Sequence, residues 1–329
     1  MSSYNNKISV TITSYNQKYF LNETIKSVLN QTLKPYEIII ADDCSTDGSI
    51  ELIKSYAEEY SDIIIPIYHK KNLGIAKNRN SAFKKASGKL ISWINGDDLF
   101  LPKKLEFELK TFLKNNKTKW VYSQVFYIDS MGNKIDLRYK NDFIYQKYNF
   151  KDIILNMGKE PAYQLIDYSI LDEVGFFDEN IEVFEDWDFV IRLAKNNGFD
   201  YCPIPLSEYR QHSAGASKSD LNIHIHSVEK IFQKIMPLIV DLHSHDQLLI
   251  KNFIESEILK MYALKSLEDN NRVSAAKYLT NGFLKNPKNH TFFLYYSNVL
   301  FPKTIVNLLK KILINYRKYK NNKEMKKFI

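Results

Sequence analysis

Apolar and polar positions alternate in blocks along the first hundred residues. Lys7–Thr13 is short, rich in β-branched residues and bounded by the polar Ser14-Tyr15-Asn16, the pattern of a strand. Leu21, Ile25, Val28 and Leu29 then recur at helical spacing until Pro35 closes the segment. Glu37–Ala41 is a second apolar run that ends at Asp42-Asp43, and Ser45 or Asp47 is placed to cap a helix reaching about Tyr60. Ile63–Tyr68 predicts a third strand, Ile75–Ala86 a helix stopped by Gly88, and Leu90–Ile94 a fourth strand stopped by Asn95-Gly96-Asp97-Asp98. Repeated strand–helix units with continuous apolar strands predict a parallel sheet covered on both faces.

Beyond Pro102 the pattern is mixed. A helix to about Asn115 precedes a strand at Trp120–Ile128 and a polar, tyrosine-rich stretch to about Phe150. A strand or a helix near Ala162–Val174 leads to a turn at Gly175–Asp178. Phe184–Lys195 is amphipathic, with Phe189, Val190 and Leu193 on one face, and Gly198 ends it. Asp200–Ile204 and Leu206–Gln211 read as two short strands interrupted by Pro203 and Pro205. From about Asp220 onward the periodicity is helical. The expected organisation is an α/β domain over 1–218, in halves 1–100 and 101–218, and an all-helical region over 219–329.

Composition narrows the class. With 44% apolar and 26% charged residues in 329, the chain is of ordinary globular make-up, which excludes fibrous and disordered classes. Two cysteines, Cys44 and Cys202, build neither a disulfide framework nor a zinc ribbon, so the expectation is a cytoplasmic protein. The polar N-terminus predicts no secretory signal, and no run approaches the roughly 18 apolar residues of a spanning helix. The net charge of +8 first suggests nucleic acid, but its distribution argues against that partner. Residues 303–329 hold nine cations and one anion, and removing them leaves 37 of each sign in residues 1–302. Within that tail Ile305, Leu308, Leu309, Ile312, Leu313 and Tyr316 form an apolar stripe opposite Lys310, Lys311 and Lys318. A basic amphipathic helix of this kind suits an anionic lipid surface, which predicts peripheral attachment at the inner face of the cell membrane.

The candidate chemistry lies at the strand ends. Parallel α/β sheets bind ligands at the carboxyl ends of their strands, and three of these four strands end in polar or acidic clusters. No glycine-rich phosphate loop of either common type is present, which leaves a metal or side chains to meet any phosphate. Six pieces occur in order: Thr13-Ser14-Tyr15-Asn16; Asp42-Asp43-Cys44-Ser45-Thr46-Asp47-Gly48; Asn72-Leu73-Gly74 with Arg79-Asn80; Asn95-Gly96-Asp97-Asp98; Glu185-Asp186-Trp187-Asp188 with Arg192; and Tyr209-Arg210-Gln211-His212. Together, over about residues 7–217, they resemble glycosyltransferase family 2. The resemblance implies a GT-A-type, Rossmann-like, mostly parallel sheet flanked by helices, and a nucleoside-diphosphate sugar donor, UDP above others.

The roles follow from that resemblance, each with a chemical reason. Asp97 and Asp98 are adjacent carboxylates that repel unless a hard cation such as Mn²⁺ or Mg²⁺ lies between them and a ligand, and His212 adds an imidazole. Asn95 stands where the family usually has the first acid. Thr13, Tyr15, Asp42 and Asp43 would line the base and ribose, while Arg79 and Arg210 would reach the base or diphosphate. Asp186 would take the proton from the acceptor hydroxyl of a glycan or lipid-linked saccharide, oriented by Glu185, with Trp187 lining the acceptor side. Asp188 has the spacing of a helical ion pair with Arg192. The expected activity is metal-dependent, inverting transfer of a hexose-type sugar to a capsule, O-antigen or related surface glycan. A nucleotidyltransferase acting on sugar phosphates, and a degenerate sugar-nucleotide-binding scaffold, are the alternatives.

Overall fold

The computed structural model describes residues 7–138, 149–158, 161–212 and 220–287, together with Asn289, Tyr295 and Val299. The chain divides into two compact units, Met1–Gly215 and Ala216–Ile329. In the first, the apolar runs become β1 (Ile8–Ser14), β2 (Glu37–Asp42), β3 (Ile64–Tyr68) and β4 (Leu90–Asn95). Parallel pairing joins them in the order β3-β2-β1-β4. Every residue of β1 and β2 is buried, whereas β3, at the edge, is mostly half-exposed. Val10, Ile12, Ile38, Ile40, Ile91 and Ile94 are completely buried, and each such side chain removed from water contributes roughly 1.5–3 kcal/mol. The register sets Thr13 beside Ala41 and Asn95, and Ser14 beside Asp42, so three strands end at one edge.

The intervening helices are α1 (Lys18–Leu29), α2 (Ser49–Glu59) and α3 (Ile75–Lys85). Leu21, Ile25 and Val28 face inward on α1, as their spacing predicts. Neither Ser45 nor Asp47 is the helix cap of α2: Gly48, at φ 91°, holds that position. Asp47 instead accepts from Ser49 N at 3.0 Å and from Lys18 N at 2.8 Å, tying the start of α2 to α1. On α3 the buried face includes Asn78, Arg79 and Asn80, polar residues that a purely structural helix would keep in water.

Beyond β4 the sheet turns mixed. The short β5 (Leu99–Phe100) precedes α4 (Lys104–Phe112), β6 (Thr118–Ile128) and β7 (Lys134–Leu137); α5 (Phe150–Ile154), β8 (Leu165–Asp167), α6 (Leu171–Val174), α7 (Glu185–Asn196) and β9 (Gly198–Arg210) follow. β8 is antiparallel to both β4 and β6, β9 runs parallel to β6, and β5 lies antiparallel to β9. The segment Ala162–Val174 holds both of its predicted alternatives, a strand and then a helix. The two expected strands around Pro203 and Pro205 are one. Register shifts beside Ser123 and Gln124 pair Cys202 and then Pro205, leaving Pro203 and Ile204 as a bulge, so the prolines interrupt no ladder. The pairing Leu99 to Glu208 has a functional consequence, because it carries Arg210–His212 to the Asp97-Asp98 turn.

The second unit is helical as far as it is described: α8 (Leu221–Leu238), α9 (Ser244–Glu268) and α10 (Arg272–Lys285). Asp220 and Asn271 cap α8 and α10 through Asn222 N and Ser274 N. Ala263 and Leu279 form a small core against which Tyr278, Phe283, Tyr295 and Val299 pack. Among the described residues no helix is long and apolar enough to cross a membrane. The basic tail 303–329 lies outside the described residues, as do residues 213–219.

Candidate active site

The turn after β4 is a tight junction of backbone and acid. Gly96 N donates to Thr13 O at 2.8 Å, and a Cβ on Gly96 would lie 2.8 Å from Gln17 Oε1 and 3.1 Å from Thr13 O, so glycine is required by close approach. Thr24 Oγ1 donates to the carbonyls of Gly96 and Asp98, at 3.0 and 2.8 Å, pinning the turn onto α1. Asp97 and Asp98 emerge from this turn in different environments.

Asp98 is buried and its oxygens are saturated. Oδ2 accepts from the Tyr163 hydroxyl and from Asn95 Nδ2 at 3.2 Å, and Oδ1 accepts from Arg210 N at 2.7 Å. Burial, and then the Asp97 charge, push its carboxyl well above the usual carboxylate range. Asp98, expected as a metal ligand, thus spends three hydrogen bonds on holding the site together. Asp97 differs. Its Oδ2 lies 2.9 Å from His212 Nε2, and its Oδ1 is buried with no hydrogen-bond partner among the described residues. An orphaned anionic oxygen beside an imidazole suits a hard divalent cation that takes its remaining ligands from phosphate and water. Among the described residues no cluster of three or more metal-ligating side chains occurs.

Both arginines expected at the donor are committed elsewhere. Arg79, 2% exposed, donates from Nη1 to Glu185 Oε1 at 2.8 Å and from Nη2 to Asn95 Oδ1 at 2.9 Å. Its guanidinium lies between Trp93 and Phe177, 4.2 and 4.8 Å from their ring centroids. Arg210 donates from Nε to Asp97 O at 2.9 Å, from Nη1 to Ser130 O at 3.2 Å and from Nη2 to Glu23 at 2.7 Å, with Phe20 beneath it. As arranged, each arginine braces the site, and Arg79 Nε keeps no hydrogen-bond partner among the described residues.

The pair at the end of β2 shapes loops. Asp42 accepts from Ser45 N at 2.8 Å and Ser45 Oγ at 2.6 Å, while Asp43 accepts from Leu73 N at 2.7 Å and Gly74 N at 2.9 Å. Ser45 Oγ in turn accepts from Asn16 N at 2.8 Å, and Asn16 Oδ1 from Thr46 N at 2.8 Å. Asn16 has φ 51°, a left-handed backbone that asparagine tolerates. Thr13 is buried at the strand end, and Tyr15 stands exposed beside it.

On the opposite side α7 begins at Glu185, directly after Phe184 at φ 65°. Asp186 lies in the first turn, where the helix dipole favours an anion; it is half-buried and accepts from Trp187 N at 2.9 Å. Glu185 is buried, and burial, opposed by Arg79 and reinforced by Asp186, raises its carboxyl to about 7. Trp187 is corrected: it is 0% exposed, its indole reaches Ile153 O at 3.3 Å, and it lines no open acceptor surface. Asp188 makes the expected ion pair with Arg192, at 2.8 Å.

Sequence reading missed Tyr209 and Tyr163. Tyr209 is mostly buried, and burial, with the charges of Asp98, Asp97 and Asp186 behind it, pushes its hydroxyl up. Arg138 and Tyr127 pack on its ring, with centroid distances of 5.4 and 5.7 Å. A tyrosine directly before Arg210 was a usable signal; Tyr163 had none, lying in an ambiguous segment.

Known proteins resemble this chain. The model of glycosyl transferase family 2 matches residues 9–175. An uncharacterized glycosyltransferase of Methanocaldococcus jannaschii, MJ1057, is 34% identical over 211 residues, 62% of this chain and 70% of that protein. A Rickettsia bellii glycosyltransferase is 33% identical over 206 residues, and the match spans 62% of this chain but 29% of that longer protein. Among solved structures, Staphylococcus aureus TarS in complex with UDP-GlcNAc superposes with a TM-score of 0.63 at 15% identity, covering 86% of this chain and 93% of that one. GalNAc-T7 with UDP, GalNAc and Mn²⁺ gives 0.53 at 16% identity, covering 68% and 47%. At such identities the structural likeness speaks for the fold.

Proposed function

The chain belongs to glycosyltransferase family 2, and from that premise we propose that it moves a hexose-type sugar from UDP to a hydroxyl of a growing surface glycan, with inversion at the anomeric carbon. Sugar transfer sets aside the nucleotidyltransferase alternative. The observation that carries the finer reading is the buried Asp97 Oδ1 without a partner, next to the Asp97–His212 contact. Asp97 and His212 would hold one Mn²⁺ or Mg²⁺, which when bound neutralises charge on the departing diphosphate. GalNAc-T7 holds Mn²⁺ with UDP, and TarS holds UDP-GlcNAc, which favours the same donor class here.

Asp186 acts as the general base. It accepts the acceptor hydroxyl's proton while that oxygen bonds to the anomeric carbon; the bond from that carbon to the diphosphate breaks, and its electron pair leaves with UDP. Its place in the first turn of α7 supports the role, since a helix N-terminus favours the anionic form that accepts the proton. Asp42 and Asp43 give the base-side loops their shape, Tyr15 offers a ring to the base, and Glu185 and Arg79 fix the start of α7. The acceptor is a saccharide, free or lipid-linked, and residues 303–329 draw the enzyme to the membrane that carries it.

Thermal stabilisation by UDP, UDP-sugars and GDP-sugars, each with Mn²⁺ and with EDTA, tests the donor. UDP-linked donors are expected to raise Tm only with the metal; no stabilisation by any of them would reject the donor site. Sedimentation with anionic vesicles, with and without residues 303–329, tests the membrane role, and equal binding of both forms would reject it.

A further inference from the structure

Two unusual features outside the substrate-facing site converge on Asp98. The first is an ion pair on α4. Lys104 Nζ lies 2.5 Å from Glu108 Oε1, and both side chains are 0% exposed. Ser123 Oγ donates to the same oxygen at 2.7 Å, while Glu108 Oε2 is buried with no partner. Burial lowers the Lys104 ammonium and raises the Glu108 carboxyl, each against the pull of its partner. Such a pair is a poor stabiliser, since apolar residues of similar volume often do as well or better. What remains distinctive is where Lys104 points: it also donates to the Tyr163 carbonyl, 2.7 Å away.

The second feature is Tyr163 itself. It has φ 54°, a left-handed backbone that is strained for a bulky residue and persists only where its surroundings impose it. Its ring is buried edge-on against Trp93, with centroids 5.4 Å apart, and its hydroxyl donates to Asp98 Oδ2. Asp98 Oδ1 then holds Arg210 N, and Arg210 Nε holds the Asp97 carbonyl. A continuous polar strut therefore runs from Glu108 through Lys104, Tyr163 and Asp98 to the segment bearing His212.

We propose that Tyr163 and the buried Lys104–Glu108 pair are positioning residues, which set Asp98 and thereby the spacing of Asp97 and His212. If the pair served only to fill the core, no specific hold on a strained carbonyl would be needed. The inference rests on Asp97 and His212 being the donor's edge, so the test has one arm that needs no ligand.

That arm is hydrogen exchange on two variants. Lys104→Met/Glu108→Leu removes both charges together and leaves no orphaned ion; Tyr163→Phe removes only the hydroxyl. The double variant is expected to melt no lower than the parent, yet to exchange the Arg210 amide and residues 95–98 faster, on the order of tenfold. Residues 38–41 of β2 serve as the unaffected reference. Calorimetric titration with UDP and Mn²⁺ is expected to show affinity weakened on the order of tenfold in both variants, with the acceptor KM unchanged. A folded double variant with parental exchange at Arg210 and 95–98 overturns the proposal. If the double variant does not fold, parental exchange in Tyr163→Phe overturns it equally. Failure of the parent protein to bind UDP with Mn²⁺ would reject the donor site instead, and exchange would still decide the strut.

Discussion

Asp42-Asp43 and Asp97-Asp98 are the same dipeptide at the same edge of one sheet, at the ends of the two strands that flank β1. In the first pair each carboxylate oxygen accepts at least one hydrogen bond, from Ser45 N, Ser45 Oγ, Leu73 N and Gly74 N. In the second pair Asp98 is equally saturated, but Asp97 keeps a buried oxygen without a partner and sets the other against His212. Adjacent acids at a strand end are thus compatible with loop building and with cation binding. What separates the two is how many donors the surrounding backbone supplies. An acid the protein has satisfied is there for shape, and one it has left wanting is available for chemistry.

The largest effect should come from the available acids. Asp186→Asn is expected to lower transfer by roughly 10²–10⁴-fold, the usual contribution of a positioned base, while UDP binding with Mn²⁺ stays at the parental level. Full transferase activity in that variant would remove the mechanism. Asp97→Asn should abolish the metal-dependent rise in Tm caused by UDP. It should also leave the unliganded protein at least as stable, because it relieves repulsion with Asp98. The satisfied acids should behave in the opposite way. Asp43→Ala strands Leu73 N and leaves Gly74 N with Asn72 Oδ1 alone, and urea unfolding should register a loss on the order of 1–2 kcal/mol. If Asp43→Ala were as stable as the parent and Asp97→Asn much less so, the contrast between the pairs would be reversed.

Much of this was legible from residue order, and the limit has a physical cause. The parallel strands announced themselves because short, continuous β-branched runs ending in Ser14, Asp42 and Asn95 suit a sheet buried on both faces and little else. The i,i+4 pair Asp188–Arg192 followed from helical geometry alone. Arg79, Arg210 and Trp187 were assigned to ligands because motif position reports which residues gather at a site. It does not report which way they face. Arg79 is drawn inward by Trp93, Phe177 and Glu185, partners 14 to 106 positions away. Pro203 and Pro205 predicted a break, but a bulge opposite Ser123 and Gln124 lets β9 continue, and that depends on the partner strand. Tyr163 escaped notice because its buried partners, Lys104 on α4 and Asp98 after β4, lie far from it in sequence.

Asn95 sharpens the contrast at a smaller scale. Its amide does two opposite things at once, accepting from Arg79 Nη2 at 2.9 Å and donating to Asp98 Oδ2 at 3.2 Å. An ionised aspartate can only accept. Asn95→Asp, which restores the acid usual in the family, is expected to cost about 1–2 kcal/mol in urea unfolding by losing that donor and adding charge beside Asp98. An unchanged urea midpoint would show that the amide's double role is not used.

A further effect concerns Glu185 and takes the form of a pH dependence. Its carboxyl has an ordinary value of 4.5 and is raised to about 7 in the folded chain, chiefly by burial. Between those values the folded protein keeps a proton that the unfolded chain has released, so stability falls as pH rises through the window. Below 4.5 both states are protonated and the contribution is fully present; above about 7 both are ionised and it is lost. One such group changes stability by at most about 1.4 kcal/mol per pH unit, and without Arg79, 2.8 Å away, burial would raise the carboxyl further. Glu185→Gln keeps an oxygen for Arg79 and cannot ionise. Its urea midpoint should therefore fall less than the parent's between pH 5 and pH 8, whatever fixed offset the substitution introduces. Equal falls in both proteins would mean that Glu185 is already ionised at pH 5, and that Arg79 outweighs burial at the start of α7.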